Sequence, residues 1–245
     1  MIALFLAGCA TKPAYIPLPA DSPQAINSSN VAILSTQHEI KAEVSKSNVA
    51  TAMGGGLIPA LIDVAVEGSR AKSAEERIKP IRDVLIDYDI GEALKNSLSQ
   101  GLVSLPWLKV QKVEVLPANT PDVVNTLLSS GSEDVLVVIS PSYILTADFS
   151  ALNTAATIEI YPRSSALKKY AQQESEKDKS SSPIYRNKAA HQYQLPGKVS
   201  DENIAAVEWS KNQGSLIKEA LGQGVQGVSD TLLNGLKNPQ AASGK

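Results

Sequence analysis

One cysteine and two histidines occur in 245 residues. A lone thiol closes no internal disulfide and forms neither a CxxC redox pair nor a cysteine-rich metal site. His38 and His191 lie far apart in sequence, and neither has a second ligand at helical or hairpin spacing, so no metal site is expected. Aromatic side chains make up 4% of the chain, and 25 acidic residues balance 23 basic ones for a net charge of -2. With neither a stacking platform nor a basic field, no nucleic-acid partner is expected. There is no Gly-x-Ser-x-Gly elbow to seat a nucleophile. Gly54-Gly55-Gly56 run into Leu57-Ile58 where a phosphate loop needs Lys-Ser/Thr, which argues against a nucleotide site. The expectation is a non-enzyme with no catalytic residue, no metal and no cofactor. No apolar run spans a bilayer either: the uncharged stretch Ser47–Ile62 is sixteen residues long, contains Pro59 and stops at Asp63, short of the ~20 residues a spanning helix needs.

The sequence does contain core-forming material, 43% hydrophobic residues, and a distinctive setting for its one thiol. Met1 to Leu6 are apolar, Ala7 and Gly8 are small, and Cys9 follows, the pattern that closes a secretory signal segment. Leu6-Ala7-Gly8-Cys9 resembles the bacterial lipobox. The resemblance implies cleavage before Cys9, a diacylglycerol on its sulfur and an acyl chain on the new N-terminus. Ala10 stands where aspartate would favour inner-membrane retention, so the implied location is the periplasmic face of the outer membrane. Two or three acyl chains hold a protein there without any transmembrane helix. Residues 1–8 are read as the end of a signal peptide whose start lies upstream, because no Lys or Arg leads it and its apolar part is short.

Residues 9–30 carry Pro13, Pro17, Pro19 and Pro23 with no helical or strand period and are read as a tether. Residues 31–236 are read as one domain, with a polar excursion over 163–183 and a disordered tail over 237–245. Within it, Asn30 to Thr36 and His38 to Ser47 are one bent strand or two. For Gly54, Gly55, Gly56, Leu57 and Ile58 the simpler reading is a turn into a core helix. The functional alternative is a membrane or oligomer contact, since Ala52, Gly56 and Ala60 recur every four residues and allow close helix approach. Ser73 with Glu76 reads as a capping box, with Pro80 kinking the helix that carries Ile78, Ile81, Leu85 and Tyr88. Asp89 caps a second helix with the stripe Ile90, Leu94, Leu98 and Leu102. Trp107 to Leu116 is a strand with a bulge near Gln111, and Gly131 ends a helix that opens at Pro121.

Val135-Leu-Val-Val-Ile139 is the continuous apolar run of a strand buried on both faces. Tyr143 to Ala147, Thr154 to Tyr161 and a strand carrying Tyr185, Ala189, His191 and Tyr193 form antiparallel partners. Ser200 or Asp201 caps a long C-terminal helix, loosened by Gly222, Gly224 and Gly227. Asp201, Glu202, Asn203 and Glu208 could line a polar pocket beside Trp209, although a cap and a solvated face over a core Trp209 is the simpler reading.

Together these elements predict an α/β (α+β) fold, a mixed and partly antiparallel sheet packed by helices. That element order is similar to the small periplasmic modules of envelope-assembly lipoproteins, such as penicillin-binding-protein activators and curli-secretion lipoproteins. No shared motif carries a functional residue across. The function expected is a lipid-anchored, non-catalytic binding or scaffolding module that docks an envelope protein or glycan. The alternative is an oligomeric membrane-associated assembly using residues 47–66 as an interfacial element.

Overall fold

The structure, a computed structural model, describes residues 15–35, 37, 39–43, 68–117, 122–171, 182–197, 199 and 201–240, with the backbone alone for 68–71. In chain order these form helix α1 (Ser22–Ala25), strands β1 (Ser29–Ser35) and β2 (Lys41–Ala42), helices α2 (Gly68–Val84) and α3 (Ile90–Val103), strand β3 (Val110–Pro117), helix α4 (Val123–Ser130), strands β4 (Val135–Leu145) and β5 (Ala151–Pro162), helix α5 (Ser165–Lys168), strand β6 (Tyr185–Gln194) and helix α6 (Glu202–Lys237). The strands make one mixed sheet in the order β3-β1-β4-β5-β6, with β2 pairing beside β4. β3, β1 and β4 run parallel; β4, β5 and β6 alternate in direction. The fold is α/β, as the sequence predicts.

β4 is buried on both faces. Val135, Val137 and Ile139 join the core shared with α2, α3 and α6. Leu136 and Val138 join Ala32, Leu34 and Tyr161 under Val123, Val124, Leu127 and Leu128 of α4. Each such side chain contributes about 1.5–3 kcal/mol on burial, which is why the run is continuous and does not alternate. β4 also continues straight through Pro141 into the segment expected as a separate strand. Proline is tolerated because of where it falls: β1 pairs with Val135 to Ile139 and β2 with Ile144 and Leu145, leaving a gap on that edge at Pro141. The Gln37 amide fills the gap, donating to the Tyr143 carbonyl at 2.6 Å and accepting from its N–H at 3.2 Å. No ladder hydrogen bond is lost where Pro141 lacks its N–H. The bulge expected at Gln111 is present: Ser29 pairs with Val110 and Asn30 with Lys112.

Helices α2, α3 and α6 cover one face. In α3, Asp89 caps through an Oδ1 that accepts from Glu92 N–H at 3.1 Å, and Ile90, Leu94, Leu98 and Leu102 are buried. The capping box at Ser73 is overturned. α2 already runs from Gly68, so Ser73 lies inside it, and Pro80 sits within the helix too. A capping box marks a start only where the preceding chain is not helical. In α6, Asp201 is the cap, accepting from the N–H groups of Asn203 and Ile204 at 2.8 and 3.1 Å.

The break in α6 lies earlier than the glycine cluster that was expected to loosen it. Asn212, Gln213 and Gly214 are left-handed, with φ of 52°, 58° and 72°. Gly214 also meets the end of α2, where a Cβ would stand 2.9 Å from Val84 Cβ. Gly224 is needed for a different reason, close approach to β5: a Cβ there would stand 2.8 Å from Thr154 Cβ.

Residues 15–30, expected in the tether, belong to the body. Ile16 pairs with Arg186 at the edge of β6, Leu18 N–H donates to the Pro239 carbonyl at 2.8 Å, and Ile16, Leu18 and Ile26 are buried. The prolines leave this segment, ahead of β1, only the single helical turn of α1 and one β-bridge, without preventing burial of isolated apolar residues. The first residues of the expected tail belong to the body too, since α6 runs to Lys237 and the Pro239 carbonyl accepts from Tyr15 as well as Leu18; 241–245 lie outside the described residues. Both ends of the expected polar excursion, 163–183, pack on the body. Arg163 is ion-paired with Glu133, their side chains being 8% and 13% exposed, and Leu167 and Ile184 are buried; 172–181 lie outside the described residues.

Two glycines of α6 give opposite predictions. Gly222 faces open space, so Gly222→Ala should be neutral or stabilise by up to about 1 kcal/mol. Gly224→Ala should destabilise by about 1–3 kcal/mol through forced repacking over Thr154. Urea unfolding of both variants checks this.

Candidate functional site

Open α/β sheets commonly bind ligands beyond the carboxyl ends of their parallel strands. Here that region is packed. Gly91 of α3 sits against Val115 and Ser35, and Tyr88 meets Tyr143 edge-on with ring centroids 6.4 Å apart. Burial, then the neighbouring Tyr143 and Asp89, push the Tyr88 phenol up to about 12. Burial, Asp89 and Glu39 do the same to Tyr143. Burial also raises Tyr185, at the far end of the sheet, to about 12, against a weaker opposing effect of the neighbouring Asn187 amide.

An open groove instead lies between α2 and the start of α6. Its volume is about 360 Å³, lined by Ser73, Glu76, Arg77 and Pro80 on α2 and by Asn203, Ala206 and Val207 on α6. Each set follows helical i, i+3, i+4 spacing, so two facing stripes form the walls. Arg77 is already engaged: its Nη1 pairs with Glu202 and its Nε donates to Asn203 Oδ1 at 2.9 Å. The Asp201 carboxyl at the head of α6 is held below the usual carboxylate range by the N–H groups of Ile204 and Asn203. Pro80, Ala206 and Val207 supply aliphatic wall. Val207 is 53% exposed and Ile204, one turn earlier, 56%. The groove can hold an aliphatic group with a polar end.

Of the residues predicted from sequence, Asn203 lines this groove and Glu202 holds its arginine, so the start of α6 does contribute a polar wall. Glu208 instead pairs with Lys211. Trp209 is fully buried and points away, its Nε1 donating to the Phe149 carbonyl at 2.7 Å. His191 lies under Gly227 of α6. Leu6, Ala7, Gly8 and Cys9, His38, and Gly54, Gly55, Gly56, Leu57 and Ile58 lie outside the described residues. Sequence reasoning missed Glu76, Arg77 and Pro80 as groove residues, because Glu76 was read as part of a cap and Pro80 as a kink. Their spacing opposite Ile78 and Ile81 was the available signal. Among the described residues no group of three or more His, Cys, Asp or Glu side chains is placed to hold a metal ion, and no helix is long and apolar enough to cross a membrane.

The fold and groove define an α/β protein with one mixed sheet and a surface cleft between two helices. No protein-family model matches the chain, and no curated protein gives a significant match. Among solved structures it is similar to a PelC dodecamer from Paraburkholderia phytofirmans, at 9% identity and a TM-score of 0.32, covering 94% of this chain and 96% of that one. It is also similar to a single-substitution PelC variant, likewise a dodecamer from that organism, at 12% identity and a TM-score of 0.30, covering 82% and 96%. At these values the likeness carries no argument about family or function.

The raised phenols predict alkaline behaviour. Protonated tyrosine is favoured in the fold, so its contribution to stability is present in full below pH 10 and is lost as pH rises from 10 to about 12. Tyr15, whose phenol burial also raises, and Tyr88, Tyr143 and Tyr185, four of the seven tyrosines, should therefore lag in a phenolate absorbance titration, and the urea midpoint should fall over the same interval. Simultaneous titration of all seven near pH 10 would contradict the packing described for Tyr88, Tyr143 and Tyr185.

Proposed function

We propose that the protein is a non-catalytic docking module, lipid-anchored through Cys9 at the periplasmic face of the outer membrane, with no cofactor beyond its acyl chains. Its docking site is the α2–α6 groove, and its partner is an envelope protein. The observation that supports the reading is the separation of the groove from Tyr15, the first described residue after Cys9. Six peptide units join Cys9 to Tyr15 and span at most about 20 Å, so a membrane-held Cys9 keeps Tyr15 near the bilayer. Tyr15 meets Tyr185 at the start of β6, with ring centroids 6.2 Å apart, and its hydroxyl donates to the Pro239 carbonyl. Trp209, two residues beyond the groove wall, meets Tyr193 near the other end of β6, with centroids 6.1 Å apart. Eight residues of extended strand separate Tyr185 from Tyr193, about 27 Å. The groove thus opens toward the end of β6 remote from Tyr15; with the proposed anchor at Cys9, a periplasmic partner could reach it there.

Two readouts test this. Labelled fatty acid should enter the wild-type protein and not Cys9→Ser, which should appear in the soluble periplasm. A photo-crosslinking residue at Val207 should give a discrete adduct in intact cells, absent when it replaces Ile86, an exposed residue in the turn between α2 and α3. An unlabelled wild-type protein in the cytosol removes the anchor; indistinguishable Val207 and Ile86 profiles remove the docking site.

A further inference from the structure

The charges around the groove identify what its partner presents. Glu76, Arg77 and Glu202 sum to one negative charge. Arg77 and Glu202 satisfy each other, and the Arg77 Nε is spent on Asn203. Glu76 is left as an exposed carboxylate in the groove wall with no ion pair among the described residues. Lys72 and Lys79, near it on α2, are exposed as well, but neither pairs with it and neither lines the groove. Pro80 adds a second acceptor. It carries no N–H, so the Glu76 main-chain carbonyl, four residues earlier in α2, lacks its usual helical donor. Beside these two acceptors run the aliphatic surfaces of Pro80, Ala206 and Val207, continued outward by exposed Ile204. A groove that is aliphatic along its wall and acceptor-rich at one point matches one type of side chain, an alkyl stem ending in a cation.

Resting on the docking reading above, we propose that the groove receives a lysine or arginine side chain from a segment of a partner protein, with aliphatic neighbours of that residue covering Val207 and Ile204. The cationic head sits at the Glu76 carboxylate and the Glu76 carbonyl, and the stem lies along Pro80 and Val207. The exposed setting makes the charge contact modest, worth no more than about fivefold in affinity. Selectivity comes from rejecting an anionic head, which would face Glu76 where the one cation lining the groove, Arg77, is already engaged by Glu202 and Asn203.

The smallest probe with this chemistry is n-hexylammonium. Added to the full chain carrying Cys9→Ser, free of detergent into which the probe would partition, it should shift the Val207 and Ala206 methyl resonances saturably. Hexanoate should not. Glu76→Gln should weaken n-hexylammonium by about fivefold and leave n-hexanol unchanged, which separates loss of charge from loss of fold. In cells, the segment crosslinked at Val207 should contain a lysine or arginine flanked by aliphatic residues. Equal binding of hexanoate, an n-hexylammonium affinity untouched by Glu76→Gln, or an acidic crosslinked segment would each overturn the cation assignment. An adduct at Val207 that persists alongside those results would leave the docking reading standing. Saturable, Glu76-dependent n-hexylammonium binding without any adduct in cells would support the groove chemistry and count against the docking reading.

Discussion

Burying Val135–Ile139 on both faces forces helices onto both sides of the sheet. α4 supplies Val123, Val124, Leu127 and Leu128 on one side, while α2, α3 and α6 share the larger core on the other. The parallel pairing of β1 with both β3 and β4 requires crossovers, and those crossovers are the helices that cover the faces. Once β4 is fixed, β5 and β6 extend the sheet by antiparallel addition. Their inner face must then be covered by something from later in the chain, which is α6.

The sheet ends are tied by buried charges. Glu133 at the head of β4 holds Arg163 at the end of β5 and accepts from Asn30 in β1, while Arg163 also donates to the Leu127 carbonyl of α4. Glu159 holds Arg186 at 2.7 Å and accepts from the Tyr161 hydroxyl at 2.9 Å. Arg186 is the residue on whose main chain Ile16 pairs, so this second ion pair sits beneath the strap that carries the N-terminal segment. Losing one partner of such a pair costs about 3–5 kcal/mol, which makes the N-terminal end of β6 a rigid base for the anchor proposed at Cys9.

What the sequence disclosed was local. The stripe of α3, the caps at Asp89 and Asp201, the bulge at Gln111 and the doubly buried β4 all follow from period or chemistry within a few residues. What it concealed was the identity of packing partners. Ile16 and Leu18 looked like tether residues because their partners, Arg186 and Pro239, are remote in sequence. The groove was hidden for the same reason: Arg77 and Asn203 are 126 residues apart, and neither stripe announces the other. The α6 break was half visible, since Asn212 and Gly214 are residue types that accept the left-handed conformation. A cluster of three glycines further on looked the more obvious weak point, yet Gly224 and Gly227 proved to be places of close approach to β5 and β6.

Magnitudes explain why α6 breaks where it does. Two non-glycine residues stand in the left-handed region, Gln213 at a cost of about 1–2 kcal/mol and Asn212, which accepts that conformation more readily, at less. Trp209, three residues before them, is fully buried and hydrogen-bonded to the Phe149 carbonyl, and removing such a side chain from a core costs about 3–5 kcal/mol. A tryptophan in place offsets the strained pair. The break also falls where α2 ends, with Gly214 against Val84, so the chain turns as its neighbour stops. The segment before the break is then free of the register that Gly224 and Gly227 impose on the segment after it. It lies along α2, and Asn203, Ala206 and Val207 come to face Glu76 and Pro80 across the groove. The burial of one aromatic residue on the sheet therefore positions the surface assigned to a partner.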